Sequence, residues 1–203
     1  MNASTSAPPR LIIGLSGASG AVYGVRALEA AAELGLETHL VVSKAAEMTL
    51  AEETGKTSAA LAGLAHARYK IGDVGAPIAS GSFRTIGMLI TPCSMKTLSE
   101  IAYGTTSNLL TRAADVVLKE RRRLVLAPRE TPLHLGHLKA MTRATEIGAV
   151  IAPPAPAFYA KPATIEDLVD QTVGRLFDLF GLDWRPTKRW GEDLGPGGGT
   201  SHA

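Results

Sequence analysis

The segment Gly14-Leu-Ser-Gly17-Ala-Ser-Gly20 follows an apolar run and combines three glycines with two hydroxyls. Side chains this small let backbone N–H groups approach a phosphate or a flat ring at a helix N-terminus. The spacing is not GxGxxG and there is no Gly-Lys-Ser/Thr, which argues against nicotinamide and ATP. Taken alone, the segment reads equally well as a tightly packed strand-to-helix turn. Cys93 sits between Pro92 and Ser94 with no neighbouring histidine to lower its pKa, so it reads as a small buried turn residue. Ser94, Lys96 and Thr97, on the next helical turn, are better placed to donate to an anion. Arg129-Glu130 follows another apolar run and falls where open α/β sheets hold their ligands. The basic stretch Lys119-Glu-Arg-Arg-Arg123, at a helix C-terminus, reads mostly as a solvated face favoured by the helix dipole. His134 and His137 are three apart without a third ligand, so capping and surface roles are expected and no metal site.

These residues are positioned by alternating elements. Leu11–Leu15 reads as a strand, and Val22, Val25, Leu28 and Ala32 recur at helical spacing after it. A second strand, Thr38–Val42, ends at Ser43, whose hydroxyl suits the cap of a helix running through Met48 toward Glu53. This β-α-β unit, right-handed with parallel strands, sets Ser19 and Ser43 along one sheet edge. Thr54–Pro77 is less regular. Ile86–Thr91 reads as a buried strand stopped by Pro92, with a helix starting near Ser94. Helix is expected over Ser107–Arg122, strand over Leu124–Ala127, helix over Leu133–Glu146 and a short strand over Ala149–Ile151. The proline-studded loop Pro153–Pro162 then leads to an amphipathic helix over Ile165–Phe180. The pattern implies an α/β fold: a Rossmann-like, doubly wound, mostly parallel sheet with helices on both faces.

Composition bounds the rest. The chain has 203 residues, 45% hydrophobic and 20% charged, which suits one domain with a sizeable core. We expect a flexible stretch over residues 1–10, a single α/β domain over 11–190 and a glycine-rich disordered tail over 191–203. A formal charge of +2, from 21 basic and 19 acidic residues, gives no nucleic-acid or anionic-membrane footprint. The single cysteine excludes an internal disulfide. With no secretory signal and no apolar run near the ~20 residues of a membrane span, a cytoplasmic protein is expected.

Taken together, the segments GLSGASGAVYG, ETHLVVSKAA, ASGSF, TPCSMKTLSEIA, LLTRAADVVLKERR, LVLAPRETPLHLGHL, EIGAVIAPPAPAFY and QTVGRLFD resemble the UbiX-type flavin prenyltransferases, formerly described as aromatic-acid decarboxylase subunits. The match runs over roughly residues 11 to 190. The resemblance implies a flavoprotein fold and transfer of a dimethylallyl group from dimethylallyl monophosphate to N5 and C6 of reduced FMN. The product is prenylated FMN for UbiD-type decarboxylases, in quinone biosynthesis or aromatic-acid breakdown. Carried over by motif, Gly17, Ala18, Ser19, Ser43, Ser94, Met95, Lys96, Thr97 and Arg129 would hold FMN. Lys119, Glu130, Tyr159 and Arg175, supported by Arg112, would hold the prenyl phosphate, while Ser19 and Glu53 would handle protons. The family also implies a homododecamer, and the apolar loop Pro153–Tyr159 is expected to pack on another subunit at a shared site. Two features depart from the family: Thr54–Pro77 lacks a tryptophan, leaving Tyr69 as its only aromatic, and Arg123 stands where relatives often carry proline. The competing readings are an FMN-dependent cysteine-type decarboxylase, whose PAMN-type turn is absent, and a non-catalytic FMN-binding scaffold.

Overall fold

A computed structural model describes residues 7–195. Six parallel strands form one sheet in the order β3-β2-β1-β4-β5-β6. They are β1 (Arg10–Leu15), β2 (Glu37–Val42), β3 (Ala67–Tyr69), β4 (Gly87–Cys93), β5 (Arg123–Pro128) and β6 (Ala149–Ile151). The helices are α1 (Ala21–Glu33), α2 (Lys44–Thr54), α3 (Ser58–Leu61), α4 (Met95–Ala102), α5 (Leu109–Lys119), α6 (Leu135–Glu146) and α7 (Ile165–Asp178).

The central strands are apolar at nearly every position because both sheet faces are covered. Leu11, Ile13 and Leu15 face one core with Val125 and Ala127, packed by α1, α2 and α7. Ile12, Met88, Ile90, Leu124 and Leu126 face the other, packed by α4, α5 and α6. The strand order reverses between β1 and β4, so the loops after them diverge to opposite faces and leave a crevice at their carboxyl ends.

The doubly wound expectation holds, with local differences. The stretch Thr54–Pro77 contains α3 and edge strand β3, which sequence left unassigned. Pro92 does not stop β4; it lies within it, where the pairing with β5 shifts register between Ile90 and Cys93. Arg10, expected in a flexible stretch, opens β1 and pairs with Glu37 at 2.8 Å. Arg122 is not a solvated charge: its guanidinium donates to the carbonyls of Gly81 and Phe83 at 2.6 Å each. Within the expected tail, Gly191–Gly195 forms a turn closed by a hydrogen bond from Gly191 N to Leu194 O at 2.7 Å. Residues 1–6 and 196–203 lie outside the described residues.

Helix α7 docks through Phe177, fully buried beside Trp184. Replacing Phe177 with Ala opens a cavity at this seam, so urea unfolding should report a loss of about 3–5 kcal/mol. A loss under 1 kcal/mol would mean that α7 contributes little to the core.

Candidate functional site

The carboxyl ends of β2, β1, β4 and β5 are stitched together beyond the last strand pairs. Ser43 N donates to Leu15 O at 3.0 Å, Ser16 N to Pro92 O at 3.1 Å and Arg129 N to Cys93 O at 3.2 Å. The buried Ser16 hydroxyl donates to Pro92 O and accepts from Ser94 N at 2.7 Å. Three helices start from this frame with capped N-termini. Ser43 accepts from Ala46 N, Ser94 from Thr97 N and Asn108 from Thr111 N.

Between them lies a cleft of about 440 Å³ lined by Gly17, Ser43, Ser94, Lys96, Thr97 and Asn108, with Lys44, Ala45, Ile71, Gly72, Ser107 and Leu110. Gly17 is required by close approach, since a Cβ there would stand 2.3 Å from that of Ala45. Backbone amides, four hydroxyls and two ammonium groups around converging helix N-termini suit a phosphate, and the small residues leave room for a flat ring. The residues therefore fit FMN.

The sequence-selected residues fall into three groups. Gly17, Ser43, Ser94, Lys96 and Thr97 line the cleft, and Ala18 and Ser19 belong to its β1–α1 loop. Arg129 and Glu130 leave β5 at the same edge, where Glu130 accepts from Thr131 N at 3.1 Å. Met95, by contrast, has its side chain buried in the core, so only its backbone can face a ligand. The second group is elsewhere. Arg112 and Lys119, spaced seven apart with Asp115 between them, share the outward face of α5. Lys119 lines a separate groove of about 650 Å³ with Asp115, Tyr103 and Arg143. It lies nine residues, roughly 13 Å, along α5 from Leu110 of the cleft. The third group, Tyr159 and Arg175, meets in a cavity of about 370 Å³ with Lys188, Arg189, Trp190 and Glu192.

Sequence reasoning counted Ser16 among the hydroxyls offered to a ligand, whereas it is a buried bridge, and it missed Asn108, Ile71 and Gly72. Asn108 was findable as a cap before an apolar-periodic run, whereas Ile71 and Gly72 come from the patternless Thr54–Pro77 stretch. Cys93 is fully buried and its thiol is pushed up to about 12 by burial, so it is no nucleophile. His134 caps α6, its Nδ1 accepting from Gly136 N at 3.0 Å.

Glu53 reaches back from the end of α2 to the start of α1, where Gly20 offers no side-chain cap. Its Oε2 accepts from Gly20 N at 2.9 Å and Ala21 N at 2.7 Å. Partial desolvation raises its pKa, but the Ser19 hydroxyl, those two amides and the charge of Arg129 outweigh it and leave the carboxyl below 4.5. The carboxylate thus caps α1 and lies close to Ser19.

A family model described as Flavoprotein matches residues 2–177. The flavin prenyltransferase UbiX of Thauera aromatica is 57% identical over 181 residues, covering 89% of this chain and 93% of that protein. The crystal structure of AnUbiX (PadA1) in complex with FMN and dimethylallyl pyrophosphate is similar with a TM-score of 0.89 at 50% identity, covering 91% of this chain and 98% of that one. A dodecameric FMN-dependent UbiX-like decarboxylase from Escherichia coli O157:H7 matches with a TM-score of 0.87 at 48% identity, covering 89% and 98%.

A folded-state pKa below 4.5 means that the Glu53 contact stabilises above that pH and is lost as pH falls through the lowered value. The stability gap between the parent and Glu53→Gln, followed by urea titration, should therefore be constant near neutrality and shrink below pH 4.5. A gap that persists unchanged into acid would separate the effect from the carboxylate charge.

Proposed function

We propose that this chain, which belongs to the UbiX flavin prenyltransferase family, joins the dimethylallyl group of dimethylallyl monophosphate to N5 and C6 of reduced FMN. The observation that carries the reading is the anion-ready cleft at the β1/β4 switch point, in a chain whose fold matches an FMN complex. Bound reduced FMN supplies the nucleophilic ring positions.

The protein's own groups do the remaining work. Ser43, Ser94, Lys96, Thr97 and Arg129 hold the flavin, with Gly17, Ala18, Ser19 and the backbone of Met95 against it. Lys119, Tyr159 and Arg175, with Arg112 nearby, donate to the phosphate oxygens as the allylic C–O bond breaks and the electron pair leaves with phosphate. Glu130 supplies a proton to that leaving group. Closure at C6 adds a proton to the prenyl double bond, offset by the one N5 loses on alkylation, and removes one from the ring carbon, which Glu53 would accept directly or the retained phosphate through Ser19.

Because Lys119 faces away from the cleft of its own chain, this assignment needs a second copy to bring it to the phosphate. Phe158, 72% exposed, and its proline-stiffened loop offer an apolar surface for such packing, consistent with a dodecamer of shared sites. The product then serves a UbiD-type decarboxylase. The single buried Cys93 agrees with a cytoplasmic setting, and no helix among the described residues is long and apolar enough to cross a membrane. Residues 11–190 act as one domain in this scheme.

Incubation with reduced FMN and dimethylallyl monophosphate should raise the flavin mass by one prenyl unit; an unchanged mass overturns the reaction. Arg129→Ala should weaken FMN binding about tenfold or more, the loss of one charge-assisted hydrogen bond. Unaltered flavin affinity would remove Arg129 from the site. Mixing inactive Lys119→Ala with inactive Arg129→Ala chains, after dissociation and reassembly, should restore part of the activity. Hybrids that stay inactive would place the whole site in one chain.

A further inference from the structure

We propose that Gln171, with the C-terminal segment Trp184–Leu194 that it holds, is the positioning element of the Tyr159–Arg175 pocket. It turns the Tyr159 hydroxyl hydrogen toward the bound phosphate. The proposal rests on the reading above that Tyr159 and Arg175 receive the prenyl phosphate.

Gln171 precedes Arg175 by one turn of α7 and is 3% exposed, so its amide has no water to fall back on. Its Oε1 accepts from Lys188 N at 2.9 Å, and its Nε2 donates to Lys188 O at 2.9 Å and to Tyr159 Oη at 3.4 Å. The paired N–H and C=O of Lys188 fix which end of the amide is which. Both amide hydrogens are thereby committed. A phenol has one hydrogen to give, and an oxygen that accepts from Gln171 keeps that hydrogen for another partner. Tyr159 borders the cavity it shares with Arg175 and Lys188, so the free hydrogen has an anion site within reach.

The rest of the segment keeps this arrangement rigid. The Trp190 ring meets Tyr159 edge-on at 6.3 Å, restricting rotation of the phenol. Arg189 ties the segment to Asp178 at 2.8 Å and to Asp183 at 3.0 Å. Trp184, 2% exposed, anchors its start by donating to Glu33 at 2.7 Å. Contact with α7 is so close that a Cβ on Gly174 would stand 1.4 Å from Thr187 Oγ1. Gly174, between Gln171 and Arg175 on the same helix, is what lets the segment lie against the pocket.

The experiment is calorimetric titration of dimethylallyl monophosphate into the full-length, FMN-loaded protein, with FMN affinity measured separately. Gln171→Met, similar in volume, should weaken binding of the prenyl phosphate about tenfold, the effect of one misdirected hydrogen bond to a charged group, and leave FMN affinity unchanged. Adding Tyr159→Phe to that variant should cost less than twofold more, because the two residues act through one hydroxyl. Trp190→Ala, at an exposed position that does not threaten folding, should reproduce part of the loss. Undiminished phosphate affinity in Gln171→Met and Trp190→Ala, or full additivity with Tyr159→Phe, overturns the proposal. The parent reading fails differently: wild type that binds the prenyl phosphate yet leaves flavin mass unchanged, while Gln171→Met binds it tenfold more weakly, refutes the reaction and supports the clamp.

Discussion

The reversal of strand order between β1 and β4 is the constraint on which the site depends. Parallel strands all end at the same edge, so every residue after a strand is delivered there, and only at the reversal do two neighbouring loops part to leave space. That opening is held by the buried Ser16 hydroxyl, which links the ends of both strands by donating to Pro92 O and accepting from Ser94 N. Without it, Ser94 N at the crevice floor would lack a partner, a cost of about 1–3 kcal/mol, while Pro92 O would keep the Ser16 N–H. The position of Ser94, and through it the start of α4, follows from this one side chain.

Much of this was legible before any coordinates. Strands buried on both faces must be continuous apolar runs, and Leu11–Leu15 and Leu124–Ala127 announce themselves as such. Ser43 was readable as a cap because a hydroxyl stood between a strand and a helical period. What failed to show had no pattern to show it. β3 is three residues, Ala67–Tyr69, with none fully buried, so neither length nor alternation marks it. Pro92 misled because proline removes a ladder donor, yet it falls where the β4–β5 register slips and its missing N–H is not needed. Met95 was carried into the cofactor set by its place in a motif, while its burial depends on which face of α4 meets the sheet. The bridging role of Ser16 carried no signal, since its partners are seventy-six and seventy-eight residues away.

The site residues beyond the cleft show why a motif can identify a residue without locating it. Lys119 is recognisable in sequence, but the helical period that buries Ala113, Ala114 and Val117 turns Arg112, Asp115 and Lys119 outward. The same arithmetic that packs the core thus separates two halves of one proposed site. In the proposed scheme a monomer satisfies its own folding while leaving the phosphate donors divided among three surfaces, and assembly would unite them.

In the single chain each of these cations already has a carboxylate. Lys96 is held by Glu100 at 2.7 Å, Lys119 by Glu120 at 2.7 Å, Arg112 by Asp115 at 2.8 Å, and Arg175 by Asp178. All four pairs are local in sequence and lie toward solvent, where such pairs contribute about 0–1 kcal/mol. A dianionic phosphate in a desolvated pocket offers more charge and more acceptor oxygens than one carboxylate, so each cation can be exchanged from acid to phosphate at small cost. In the proposed scheme the acids would keep the donors extended and solvated before phosphate binds, without holding them tightly enough to compete. Asp178 goes further, because Arg189 also bonds it and remains as its counter-charge when Arg175 turns to the phosphate. On the proposed reading, the pocket beside Gln171 would release its arginine without stranding a bare carboxylate beside the incoming anion.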